Sequence, residues 1–120
     1  MNGLPTILSC HDTGDGLDLT LAVAADNPWF EGHFDGRPIL PGVVQIGWAA
    51  WFAARWQGLC APPRQLERIK FKRPVGPDTR LYLQLRRKPD KIAFEYRLVL
   101  PDATPVIVSS GTFVVPTENA

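Results

Sequence analysis

Val43-Val44-Gln45-Ile46-Gly47-Trp48-Ala49-Ala50-Trp51-Phe52-Ala53-Ala54-Arg55-Trp56 is the run that decides the fold. Apart from Gln45 and Arg55 its side chains are apolar or absent, so no polar face can be drawn along it. A helix that is apolar all round is enclosed by its own protein rather than laid on a surface. The run is also too short to cross a bilayer. Pro41 fits the first helical position, where its missing N–H costs nothing. Gly58 and the pair Pro62-Pro63 stop the segment. The pattern predicts one buried helix from Val43 to Trp56.

On either side of the helix the period changes to two. Leu4 to Cys10 reads as a first strand, and Leu17, Leu19, Leu21 and Val23 alternate with Asp18, Thr20 and Ala22 as a half-buried second one. A Pro- and Gly-rich loop over 25–40 leads into the helix. Beyond it, Leu66 to Val75 is a strand closed by Pro74 and the turn Gly76-Pro77-Asp78. Leu81, Leu83 and Leu85 form the inward set of the next strand, and Ile92, Phe94, Tyr96 and Leu98 that of the one after. Val106, Val108 and the segment Phe113 to Val115 close the chain, with turn chemistry at Lys88-Pro89-Asp90 and Pro101-Asp102-Ala103. The order is strand, strand, buried helix, then about four antiparallel strands. It predicts an α+β domain over 1–120, an antiparallel sheet wrapped around one long central helix.

The 120 residues suffice for one core, though they are few for an enzyme that encloses its substrate alone. The net charge of +1 conceals a division. Six acids and no Lys or Arg occupy residues 1–36, so all thirteen basic residues fall after them. They are dense at Arg64, Arg68, Lys70, Lys72, Arg73 and again at Arg86-Arg87-Lys88. Such clusters steer anionic partners, but with so small a net charge and no nucleic-acid motif, nucleic acid is set aside. Cys10 and Cys60 make neither a disulfide framework nor a metal site, because Cys10 and its neighbour His11 point to opposite faces of a strand. No secretory signal is visible, so a cytoplasmic protein is expected, without membrane, metal or cofactor.

The chemistry concentrates in Gly32-His33-Phe34-Asp35-Gly36-Arg37-Pro38-Ile39-Leu40-Pro41-Gly42. A histidine with an ordinary pKa of about 6.5 is largely neutral near pH 7 and suits a general base. The backbone N–H groups around Gly42 and Val43 open an apolar helix. Helix N-termini expose unpaired donors at a positive dipole end, suited to a developing oxyanion, and a glycine lets a carbonyl approach the backbone closely. The stretch resembles the active-site loop Gly-His-Phe-Pro-x-x-Pro-x-x-Pro-Gly of the hotdog-fold 3-hydroxyacyl-thioester dehydratases, with Asp35 in place of the first proline. Ile69-Lys70-Phe71-Lys72-Arg73-Pro74-Val75 is similar to their Phe-x-Arg-Pro-Val strand, and the order of elements fits from about residue 20 to 115. The resemblance implies a hotdog fold, His33 as the base, the Gly42 N–H as the oxyanion donor, and a homodimer with its site between subunits. Phe34, Pro41, Val43, Gln45, Gly47 and Trp48 are then the expected substrate contacts.

One position departs from the family. The fatty-acid dehydratases carry a Glu or Asp on the central helix, fourteen residues after the histidine, facing the other subunit's histidine. Here that position is Gly47, and no acid occurs from Arg37 to Arg64. Three explanations stand open: another group (Asp35, Glu31 or a water held by Gln45) gives the proton, His33 makes both transfers, or the protein binds acyl thioesters without dehydrating them. Gly47, Ala50 and Ala54 also form a stripe of small residues that either packs against a strand or opens a channel for a bulky acyl chain. Pro-Gly-Val-Val-Gln-Ile-Gly-Trp-Ala resembles the dehydratases of aryl polyene pathways, whose substrates ride on acyl carrier protein. Arg68, Lys70, Lys72 and Arg73 are candidate contacts for that acidic carrier. A hotdog thioesterase and a non-catalytic acyl-binding subunit are the competing readings.

Overall fold

The computed structural model describes residues 3–30 and 38–115. His33, Phe34, Asp35 and Glu31, all named above, lie outside them. Two strands, β1 (Thr6–Asp12) and β2 (Gly16–Val23), precede helix α1 (Gly42–Gln57). Four more come after it: β3 (Gln65–Phe71), β4 (Thr79–Lys88), β5 (Lys91–Leu100) and β6 (Ala103–Val114). They form one antiparallel sheet in the order β1-β2-β4-β5-β6-β3. This is the α+β, hotdog arrangement. The strand expected over Leu66–Val75 already ends at Phe71, where Lys72 and Arg73 both direct their N–H groups to the single carbonyl of Val108.

Alternation explains which face is covered. Leu17, Leu19, Leu21 and Val23 of β2, Leu81, Leu83 and Leu85 of β4, and Ile92, Phe94 and Tyr96 of β5 are all buried on the inner face. Against them α1 sets Val44, Trp48 and Phe52, four residues apart and so on one stripe, together with Ala49 and Ala53. Gly58 ends the helix in the left-handed conformation, with its N–H returned to the Ala54 carbonyl.

Two expectations need correction. Pro41 is the N-cap and Gly42 the first helical residue, because Pro41 has the extended ψ of 144° that precedes a helix. The helix is also not enclosed on every side: Val43 is 76% exposed, and Ile46, Gly47 and Trp51 are only half-buried. A single sheet covers one side of a helix, and the described residues cover the other side only in part.

Two bulges shape the β3 margin of the sheet. Ser109 pairs with Tyr96 but Ile107 with Arg97, leaving Val108 as an extra residue in β6. An extra residue reverses the face presented by the residues beyond it, so both Val108 and Ser109 are buried. In β3 the register slips between Glu67 and Lys70, and Arg68 there has φ 58°, an uncommon conformation for a side chain larger than Asn. The Ile69 side chain reaches Gly111, where a Cβ would collide with its Cδ1 and lie 2.7 Å from the Phe94 ring. Gly111→Ala is therefore expected to cost about 1–3 kcal/mol by overpacking. Urea unfolding would check this, and truncating Ile69 to alanine in the same chain should recover part of the loss.

Candidate active site

Residues Leu40 to Gln45 are fixed by a few bonds. Leu40 is buried, and its N–H donates to the Val75 carbonyl at 2.8 Å. The Pro41 carbonyl accepts from Val44 at 3.0 Å and from Gln45 at 3.2 Å. That leaves the N–H groups of Gly42 and Val43 without an acceptor among the described residues, as the first positions of a helix require. No side chain among the described residues caps this end. The two donors thus stand at the positive end of a sixteen-residue helix.

Gly42 lies under the Phe71 ring. A Cβ at this position would meet Phe71 Cζ at 2.6 Å. Beside it opens a groove of about 500 Å³ between Leu40, Gly42, Val43 and Ile46 on one side and Phe71 to Pro74 on the other. A second groove, of about 800 Å³, continues along Val43, Ile46, Gly47, Ala50 and Trp51 toward Pro62 and Leu66. The two share Val43 and Ile46, so an apolar trough runs along the uncovered side of α1 from the Gly42 turn.

The structure divides the expected substrate contacts. Pro41, Gly42, Val43 and Gly47 lie at the turn or along the trough. Trp48 does not: it is fully buried between α1 and the sheet, because it shares the stripe of Val44 and Phe52. Gln45 borders the groove beside Gly42, but it is only 3% exposed and its side chain is engaged by the protein itself. Its Nε2 donates to the Leu40 carbonyl at 3.3 Å, its Oε1 accepts from Ser109 Oγ at 2.7 Å, and its main-chain oxygen accepts from the Tyr96 hydroxyl at 2.7 Å. Burial pushes the Tyr96 phenol well above its usual value, opposed in part by the Ala49 N–H, so it remains a donor. Nothing in the sequence pattern marks Ser109 or Tyr96 as part of the site.

The basic cluster is divided too. Lys72 and Arg73 border the groove beside Gly42. Arg68 and Lys70 instead border a separate depression with Arg86, on the outer face of the sheet. Arg68 and Lys70 belong to β3, whereas Lys72 and Arg73 come after its end at Phe71, where the chain turns along the groove.

A model of the ApeI-like family, the ApeI dehydratases, matches residues 9–112. The chain belongs to the ApeI-like dehydratase family. Among relatives, the 3-hydroxyacyl-acyl-carrier-protein dehydratase FabZ of Gluconacetobacter diazotrophicus is 35% identical over 75 residues, covering 55% of this chain and 47% of its own. The chain thus spans about half the length of the FabZ relatives it matches. An uncharacterized protein from Erwinia carotovora subsp. atroseptica superposes with a TM-score of 0.78 and 34% identity, over 92% of this chain and 94% of that one. The dehydratase heterocomplex ApeI:P from Xenorhabdus doucetiae gives 0.76 and 28%, over 92% and 96%. Agreement along nearly the whole chain makes this an ApeI-like domain in fold as well as in sequence.

Proposed function

We propose that the protein dehydrates a 3-hydroxyacyl thioester, carried on acyl carrier protein, to the trans-2-enoyl thioester. The observation that carries this reading is the pair of N–H groups at Gly42 and Val43, without an acceptor among the described residues and opening onto an apolar trough, in a chain of the ApeI-like family. His33 removes the proton next to the thioester carbonyl. The charge that moves onto the carbonyl oxygen is met by the Gly42 N–H, where no peptide needs to turn to receive it. The carbon–oxygen bond at C3 then breaks, and the hydroxyl leaves as water with a proton returned to it. With Gly47 at the family's acid position, His33 itself or Asp35 returns that proton. The acyl chain lies along Val43, Gly47 and Ala50, in fatty-acid-like or aryl polyene synthesis, with the cytoplasm as the expected compartment.

Lys72 and Arg73, beside the Gly42 groove, are the docking contacts for the acidic carrier, and Arg68 and Lys70 are left to the outer face. A second subunit of the same fold covers the open side of α1. An identical copy is the expectation from sequence, and the ApeI:P heterocomplex of Xenorhabdus doucetiae makes a different chain the alternative.

Mass spectrometry of 3-hydroxyacyl carrier proteins, aryl and alkyl, incubated with the protein tests the reading. Loss of one water is expected, and His33→Ala should slow it by about 10²–10⁴-fold, the usual contribution of a general base. Free acid would identify a thioesterase. Unchanged substrate for every acyl group would leave an acyl-binding subunit, the reading that Gly47 favours.

A further inference from the structure

Tyr96, Ser109 and Phe71 form a single row across the sheet. Ser109 of β6 pairs with Tyr96 of β5 on one side and with Phe71 of β3 on the other. All three meet the first turn of α1: Phe71 lies on Gly42, Ser109 bonds the Gln45 side chain, and Tyr96 bonds the Gln45 carbonyl. The row faces the helix only because the Val108 bulge turns Ser109 inward. Elsewhere the sheet side of the core around α1 consists of Leu, Val, Ile and Phe side chains, and apolar contacts are not directional. Hydrogen bonds are.

Gln45 joins this row to the turn itself. Its Nε2 holds the Leu40 carbonyl, one residue before Pro41, while the Leu40 N–H is held by Val75. Leu40 is thereby fixed at both polar atoms. The ring of Pro41 fixes the next φ, and the Pro41 carbonyl is fixed by Val44 and Gln45. These constraints set the direction of the Gly42 N–H, and Gln45 takes part in two of them.

We infer that Gln45, anchored by Ser109 and Tyr96, is a positioning residue that aims the Gly42 and Val43 N–H groups at the oxygen they stabilise. It acts through the Leu40–Gly42 backbone. The catalytic consequence rests on the dehydratase reading, whereas the geometric one does not.

The test compares wild type, Ser109→Ala, Ser109→Thr and Gln45→Met in two ways. The first is the amide resonances of Gly42 and Val43 in ¹⁵N-labelled protein without substrate. In Ser109→Ala these should move more than the amides of the distant β1–β2 hairpin, and Ser109→Thr, which keeps the hydroxyl, should restore them. The second is turnover of a 3-hydroxyacyl carrier protein. Misaimed donors act on the transition state, so kcat should fall about tenfold in Ser109→Ala with KM nearly unchanged. Gln45→Met should lose at least as much where it folds. Unmoved Gly42 and Val43 amides in Ser109→Ala would overturn the inference, and so would a fall in kcat no larger than the loss of folded protein. A wild type that dehydrates nothing would remove the dehydratase reading, and the amide comparison would still decide the positioning.

Discussion

Gly42→Pro is expected to lower dehydration by about 10²–10³-fold, the effect of removing one oxyanion donor, while leaving α1 formed. Proline lacks only the N–H, which at the first helical position serves no helical bond. Its neighbour is already prepared, since a residue before proline is driven to extended ψ and Pro41 stands at φ −59° and ψ 144°. The new ring would press on Phe71, whose half-exposed ring at the sheet edge can swing aside. Gly42→Ala is the control: it presses on Phe71 in the same way but keeps the N–H, and should lose much less. Steady-state kinetics with far-ultraviolet circular dichroism reads both. A Gly42→Pro protein with the turnover of Gly42→Ala would show that this amide does not stabilise the transition state.

Trp48→Ala should bring the largest loss of stability, about 3–5 kcal/mol for truncating a buried aromatic. Trp48 is among the largest fully enclosed side chains of the core, between the helix and the inner face of the sheet. A loss of that size consumes much of the roughly 5–15 kcal/mol that holds a typical domain folded. The indole N–H has no acceptor among the described residues, so Trp48→Phe removes an unpaired donor while keeping most of the packing and should cost less than about 1.5 kcal/mol. Urea unfolding monitored by circular dichroism separates the two. Equal midpoints for Trp48→Ala and wild type would refute the central place given to this residue.

The contrast between Trp48 and Gln45 shows what could be seen in the sequence. The helix, the six strands and the inward set of β2, β4 and β5 come from period alone, because side-chain alternation and the apolar run are local properties. The Gly42 turn is legible for the same reason, being encoded by Pro41-Gly42 and the helix that begins there. Roles within the helix are not. By sequence Trp48 resembles a groove wall and Gln45 a holder of water, because a helix apolar on nearly every side gives no sign of which stripe meets its own sheet. For Gln45 the pairing of β5 with β6 decides it, and its register depends on a bulge at Val108 that period-two alternation does not reveal. The division of Lys72 and Arg73 from Arg68 and Lys70 follows from the end of β3 at Phe71, earlier than the sequence pattern indicates.

Sheet order also sets how much loop-closure entropy each strand pairing costs. β4, β5 and β6 are joined by short turns and pair with little loop-closure entropy. β3 precedes them in the chain yet pairs with β6, Gln65 against Val114, so this pairing closes a loop that contains the rest of the meander and costs more loop-closure entropy. Phe71 is carried by this strand, and the Val75 carbonyl that holds Leu40 comes directly after it. The turn bearing Gly42 is therefore built from contacts between distant parts of the chain, the kind that slow folding. A nascent or partly unfolded chain can hold most of its sheet and still lack the site.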